Sequence, residues 1–209
     1  SFGGLSDLAL DDDGDLLAVA DDGAFVWIGL EDGVPDGTGK LAYMRGADGN
    51  LLQGKSLGDA EGLAVRNGLA IVSFERTHRI SAFNLVEKCH SPIGAVANLQ
   101  EAGWTDEVAP NPAGYAFVGF DTARIGGADE TFWLFRSYDP IRGNRNVLSW
   151  QHGEKKVVLT RPLAVDNYEG ITVENLEKDV ARVWIISDDN FNPQQRTLLL
   201  AFDIAVTSE

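Results

Sequence analysis

The chain has 209 residues, 44% of them hydrophobic and 23% charged, a balance that belongs to folded proteins and excludes a disordered chain. Its 32 acidic residues against 17 basic ones give a net charge of −15 at pH 7, which repels phosphate backbones and anionic lipid and argues against nucleic acid as a partner. The lone Cys89 excludes an intrachain disulfide and a thiolate zinc site, the scattered His78, His90 and His152 lack zinc-helix spacing, and no apolar run reaches the length of a membrane span.

Read in chain order, one unit recurs: a short apolar strand opened by glycine, a turn, and a second apolar strand ending in charged residues. The opening Ser1–Leu5 reads as the start of a strand, as it would after removal or omission of an upstream leader. The first copy runs from Gly4 through the Asp11-Asp12-Asp13-Gly14 turn to Leu16–Ala20 and Asp21-Asp22. That turn resembles part of a calcium loop but lacks its closing bidentate glutamate, so it is read as a turn only. The stretch from Gly29 to Gly39 reads as a loop.

The second copy runs from Glu61-Gly62-Leu63 through Asn67-Gly68 to Ala70–Ser73 and Glu75-Arg76. Asp106 to Gly114 reads as another loop. The third copy pairs Tyr115–Val118 with Thr131–Phe135 and has no acidic residue at its opening. The Arg136–Arg145 stretch, which also holds Arg142, follows it as a basic loop in an acidic protein. Its guanidinium forks suit a phosphate or carboxylate group, and they suit salt bridges to the acidic excess equally well.

The fourth copy runs from Glu169-Gly170-Ile171 to Arg182–Ser187 and Asp188-Asp189-Asn190. A final strand, Arg196–Ile204, is expected to pair beside the first copy and close a ring. Together these signals predict an all-β fold of the β-propeller type, with five or six blades, one of them reduced, as a single domain over residues 1–209.

In an antiparallel hairpin the residue entering the first strand and the residue leaving the second lie at the same end. This brings Asp59 and Glu61 toward Glu75 and Arg76, and Asp166, Asn167 and Glu169 toward Asp188 and Asp189; radial repeats would gather these ends, with Ser6, Asp21 and Asp22, at one axis. Two carboxylates about 4 Å apart repel by about 4 kcal/mol at an effective dielectric near 20, so such a cluster calls for a cation. Calcium fits the all-oxygen set, and magnesium demands tighter geometry. The expected metal ligands are Asp59, Glu61, Asp166, Glu169, Asp188 and Asp189. The bland readings stand beside these: solvent-facing glutamates at the two Glu-Gly pairs, an Asx turn at Asp188-Asp189-Asn190, and a local ion pair at Glu75 and Arg76.

The segments FGGLSDLAL (2–10), DAEGLAV (59–65), SFERTHRI (73–80), LFRSYDPIRGNRN (134–146), DNYEGITV (166–173) and ISDDNFNPQQRTLLLAF (186–202) resemble the phytase-like, or esterase-like activity of phytase, propeller family of bacteria. The region between Phe83 and Thr122 lacks the further Glu-Gly copy that the family pattern leads one to look for. The resemblance implies an exported protein, periplasmic or secreted, that binds calcium and hydrolyses a phosphate ester as a small anionic substrate. Glu61, Glu169 and Asp188 are then the catalytic candidates, and Arg76, Arg136 and Arg145 the holders of the substrate anion. Two alternatives remain open: a noncatalytic ligand- or protein-binding propeller with a structural calcium ion, and a calcium-dependent lactonase or esterase.

Overall fold

The structure, a computed structural model, describes residues 3–46, 48–77, 79–85, 92–95, 110 and 112–206. Within these the chain is all β and of the propeller class, built from antiparallel sheets in which each strand pairs with the next one along the chain. The first sheet holds β1 (Leu5–Leu10), β2 (Leu16–Ala20), β3 (Ala24–Glu31) and β4 (Val34–Tyr43). A single-turn helix, α1 (Lys55–Gly58), leads to the second sheet of β5 (Ala60–Arg66), β6 (Leu69–Phe74), β7 (Arg79–Asn84) and β8 (Pro92–Ala95). The third sheet holds β9 (Ala116–Ile125), β10 (Ala128–Asp139), β11 (Gly143–Trp150) and β12 (Lys155–Leu159), and the fourth β13 (Tyr168–Glu177), β14 (Val180–Ser187) and β15 (Leu199–Ala205). The described residues thus form four sheets, each begun by one of the four repeats read in the sequence.

The chain divides into two compact units, Gly4–Glu107 and Val108–Glu209 with Ser1–Gly3. In the first unit β1 packs beside β5. Leu17, Val19, Phe25, Val72, Phe74 and Phe83 are buried between the sheets, and the rings of Phe25 and Phe83 meet edge to face at 5.4 Å. In the second, β9 packs beside β13 over Phe132, Leu134, Leu148, Tyr168, Ile171, Val183 and Ile185. Each such side chain contributes about 1.5–3 kcal/mol by leaving water, so these two cores hold the hairpins in place.

Turn chemistry sets the hairpins. Asn67 and Gly68 adopt φ of 51° and 71°, the two successive left-handed residues that a tight β-hairpin needs. Asp32 and Gly33 do the same with 53° and 68°, so Gly29–Gly39, expected as a loop, is the β3–β4 hairpin. The expectation failed because β4 is an outer strand, exposed over most of its length, and carries no apolar alternation to mark it.

Arg136–Arg145, also expected as a loop, is the end of β10, a turn and the start of β11. The Asp139 carboxylate accepts the backbone N–H groups of Ile141 and Arg142, both at 2.8 Å, and so reverses the chain without a glycine pair. The final strand pairs with β14 rather than with the first repeat, in the register Val183 opposite Phe202. Ser187 clamps its start: its hydroxyl donates to the Arg196 carbonyl at 2.6 Å and accepts from Leu198 N–H at 2.7 Å. Cys89, His78 and His90 lie outside the described residues, as does most of Asp106–Gly114.

One irregularity recurs. Every first strand carries a β-bulge near its start, where Ser6 in β1, Glu61 in β5, Val118 in β9 and Glu169 in β13 are the extra residues opposite an uninterrupted partner strand. A bulge re-aims the residue it inserts, and here two of the four are the glutamates of the Glu-Gly pairs.

Candidate functional site

In the first unit the bulge and the hairpin end build one carboxylate cluster. Ala60 pairs with Phe74 and Gly62 with Ser73, so Glu61 is thrust out of the ladder. A Cβ at Gly62 would stand 2.7 Å from the Ser73 hydroxyl, so a larger residue beside Glu61 would oblige that hydroxyl to turn away. The Glu75 N–H donates to the Asp59 carbonyl at 3.0 Å and closes the end of the hairpin. As a result one carboxylate oxygen from each of Asp59, Glu61 and Glu75 lies within 4.8 Å of the others. Glu75, read from the sequence only as a neighbour or an ion-pair partner, completes the trio.

The members of this group differ in exposure. Asp59 is 4% exposed, whereas Glu61 and Glu75 are at the surface. Arg76 Nε donates to Asp59 Oδ2 at 2.9 Å, which satisfies the buried carboxylate with one guanidinium nitrogen and leaves most of Arg76 in solvent. Three carboxylates thus gather at one point, the buried one paired with Arg76. Among the described residues the donor set is hard oxygen, so the group could hold a metal ion of the calcium or magnesium kind.

The first repeat supplies Asp21 and Asp22 at the matching end. Asp21 is 2% exposed and bridges to Lys55 Nζ of α1 at 2.5 Å. Burial, and then the charge of Asp21, hold the Asp22 carboxyl above its usual range. Ser6 occupies the bulge where the second repeat has Glu61, and it is buried.

In the second unit the predicted residues also meet end to end, Asp188 N–H donating to the Asn167 carbonyl at 3.0 Å. Their carboxylates, however, are engaged within the protein. Glu169, on its bulge, accepts from Arg136 Nη1, which donates to Asn167 Oδ1 as well. Asp166 Oδ1 accepts its neighbour Asn167 N–H at 3.0 Å, and Asp166 Oδ2 lies 3.3 Å from Arg196 Nε. Asp188 Oδ1 takes Asn190 N–H at 2.7 Å and Asp189 Oδ1 takes Phe191 N–H at 2.9 Å, the Asx geometry that was the bland reading of this tripeptide. Between them Tyr168 donates to the Ala164 carbonyl at 2.6 Å; burial, with Asp166 adding to it, pushes the phenol up to about 12, so it stays a neutral donor.

Arg136 and Arg145 do not form one clamp. Arg136 pairs across β10 and β11 with Asn146, and Arg145 with Ser137, so the two arginines occupy successive ladder positions and face opposite sides of the sheet. Arg145 donates to Ser137 Oγ at 3.2 Å and lies 5.6 Å from the centre of the Tyr115 ring.

Two features escaped the sequence reading. Buried aspartates at two further hairpin ends each meet a cation that is about half exposed, Asp21 with Lys55 and Asp166 with Arg196, as Asp59 does with the Arg76 that hairpin topology brings to it. Lys55 and Arg196 sit outside the repeat pattern, and nothing local marks them. The second feature is Asp7 and Asp121, whose carboxylates bond to the neighbouring sheet's backbone; for Asp7 a signal was present, the one charge in its strand.

Comparison with known proteins adds the following. The family model described as "Phytase-like: Esterase-like activity of phytase" matches residues 1–114, the part of the chain that carries the first two sheets. No curated protein matches the chain. Similar solved structures include one described as "Structure of Dos1 propeller", at 12% identity and a TM-score of 0.31, covering 94% of this chain and 47% of that one. Another is described as "KlHsv2 with loop 6CD replaced by a Gly-Ser linker", at 7% identity and a TM-score of 0.38, covering 98% of this chain and 100% of that one. The chain therefore spans less than half the length of the Dos1 propeller chain it matches.

Proposed function

The chain belongs to the phytase-like family, whose model spans its first 114 residues, and on that premise we propose that it is a calcium-binding propeller that hydrolyses a phosphate ester. The observation that carries this reading is the Asp59, Glu61 and Glu75 trio with Arg76 attached to its buried member. The three carboxylates would hold the ion, with backbone carbonyls and waters completing its coordination. When bound, calcium supplies charge neutralisation at a phosphoryl oxygen and a more acidic water.

The chain's own residues divide the remaining work. Arg76 is fixed through Nε to Asp59 and turns the rest of its guanidinium to solvent, where it pairs with a phosphate oxygen and fixes the ester's orientation. Glu61, set out from the ladder by its bulge, accepts a proton from the attacking water as that oxygen bonds to phosphorus and the ester P–O bond breaks, the departing alkoxide taking its proton from solvent water. Glu169 and Asp188 stand as further catalytic candidates in the fourth repeat, Asp166 and Asp189 as further ligands, and Arg136 and Arg145 as further anion holders. Each of these would first exchange its present protein partner for ion or substrate.

Two of the three carboxylates in the trio are exposed, which suits the weak affinity of extracellular calcium modules, about 10⁻⁴–10⁻³ M. That range accords with a periplasmic or secreted setting, which we propose on the family's account. The test is calorimetric titration with calcium, followed by assay against phosphate monoesters and carboxyl esters. Saturable binding and turnover lost in Glu61→Ala and Glu75→Ala are expected. Binding without turnover would replace the hydrolase with a noncatalytic calcium propeller, and turnover of carboxyl esters alone would make it an esterase or lactonase.

A further inference from the structure

The four sheets do not end alike. In the first three a fourth strand forms the outer edge, and each of these edges carries a feature that discourages further pairing: β4 holds Pro35 and Lys40, β8 is four residues long and opens at Pro92, and β12 begins with Lys155 and Lys156. The fourth sheet stops at its third strand, β15. Its seven residues, Leu199–Ala205, include no proline, lysine or glycine, and its register with β14 is unbroken. Among the described residues no strand lies on its other side.

Hydrogen bonds at both ends of β15 fix which of its backbone groups face outward. Ser187 N–H donates to the Leu198 carbonyl at 2.9 Å, and Val206 N–H donates to the Asp179 carbonyl at 2.8 Å. Within a strand the N–H and C=O of one residue point to the same side and those of the next residue to the other. Leu198, Leu200, Phe202, Ile204 and Val206 therefore serve β14. Leu199, Ala201, Asp203 and Ala205 turn theirs to the open edge, and Ala201, Asp203 and Ala205 are exposed. The single charge of the strand is paired inside its own sheet, Asp203 accepting from Arg182 Nε at 2.7 Å and from Nη2 at 3.0 Å.

This edge is its own complement. A second copy laid antiparallel about a two-fold axis at Phe202 sets Leu199 opposite Ala205 and Ala201 opposite Asp203. Every outward residue of one strand then meets an outward residue of the other, and all their N–H and C=O groups are paired. Phe202 meets its own counterpart at the non-hydrogen-bonded position between them. The neighbouring two-fold registers are poorer: one centred on Asp203 sets two aspartates face to face, and one centred on Ala201 leaves Ala205 beyond the end of the facing strand. We propose that the chain dimerises through β15, joining two fourth sheets into one continuous sheet. The net charge of −15 on each copy opposes this at low salt and is screened beyond about 8 Å at physiological ionic strength. The inference rests on the fold alone and is independent of the phosphate-ester reading.

Sedimentation equilibrium of the full chain at about 0.15 M salt tests it. The mass should rise with concentration from 22.6 kDa toward twice that value and level there. Ala201→Pro removes an outward N–H while leaving the ladder to β14 intact, and it should abolish the rise. Ala201→Glu sets a like charge opposite Asp203 of the second copy and should weaken the dimer at least about threefold, whereas Ala201→Lys sets an opposite charge there and should weaken it less. Circular dichroism establishes that each variant is folded. Three results would each overturn the proposal: the mass of a single chain at every concentration, which would leave the edge to a strand of other origin; association that survives both Ala201→Pro and Ala201→Glu; or equal weakening by glutamate and lysine.

Discussion

Asp7 on β1 accepts a hydrogen bond at 2.8 Å from the backbone N–H of Leu63 on β5, and so ties the first sheet to the second across 56 residues of chain. Asp121 on β9 repeats the arrangement in the other unit, taking Val173 N–H of β13 at 2.8 Å and the Thr172 hydroxyl at 2.9 Å on Oδ2. In both cases the other oxygen caps the next residue's own N–H, Leu8 at 2.9 Å and Thr122 at 2.7 Å. A carboxylate serves as the strut because it alone offers acceptors on both sides. Such charge-assisted bonds are roughly twice as strong as neutral ones.

Replacing either strut with asparagine puts a donor where an acceptor is required and strands an N–H group. Asp121→Asn is expected to cost about 1–3 kcal/mol. In a domain of this size that lowers the melting midpoint by about 2–12 °C, read by differential scanning calorimetry. A midpoint unchanged in both Asp7→Asn and Asp121→Asn would show that the sheets hold together without the struts.

The same residue gives a pH signature. Burial raises the Asp121 carboxyl above its ordinary value of 3.8, against three hydrogen bonds that lower it. The folded state therefore binds this proton more tightly than the unfolded chain. The proton's share of the stability is complete below 3.8 and is lost as pH rises through the raised folded value, while the hydrogen bonds accepted by the carboxylate remain. The cost of Asp121→Asn, measured by urea denaturation, should accordingly be larger at the acid end of that window and smaller above it.

Calcium should separate the roles of the trio. Without metal, Glu61→Gln and Glu75→Gln are each expected to leave the melting midpoint nearly unchanged. At calcium one hundred times its dissociation constant, wild type should gain about 2.7 kcal/mol and the two variants far less. Melts run with calcium and with a chelator read the difference; equal gains in all three proteins would remove Glu61 and Glu75 from the ligand set.

Gly119 lies where β9 passes close to β13. A Cβ there would stand 2.7 Å from the Glu169 carbonyl and 3.2 Å from an Ile171 methyl group. Gly119→Ala should force the two strands apart, at a cost of about 1–3 kcal/mol by chemical denaturation. A neutral result would mean that the bulged start of β13 yields without loss.

Much of this architecture was legible in the residues. The four repeat openings, the Asn67-Gly68 turn and the strand of Val183, Trp184 and Ile185 announce themselves through apolar runs and turn chemistry, which depend on near neighbours. The outer strand β4 did not, because it faces solvent for most of its length, whereas β15 was legible as a strand and only its partner, β14, was not. The site divides the same way. The meeting of Asp59, Glu61 and Glu75 follows from hairpin topology alone, while the engagement of Glu169 by Arg136 depends on how the third sheet packs on the fourth, which no local pattern encodes.

The bulge at the head of each inner strand has a consequence for how this fold can diversify. The inserted residue takes no partner in the ladder, so cross-strand fit does not dictate its identity, and serine, glutamate, valine and glutamate fill the four places. Each repeat thus reserves one address where new chemistry can be tried while the surrounding scaffold stays as it is. A family built this way can change what it handles by editing single letters.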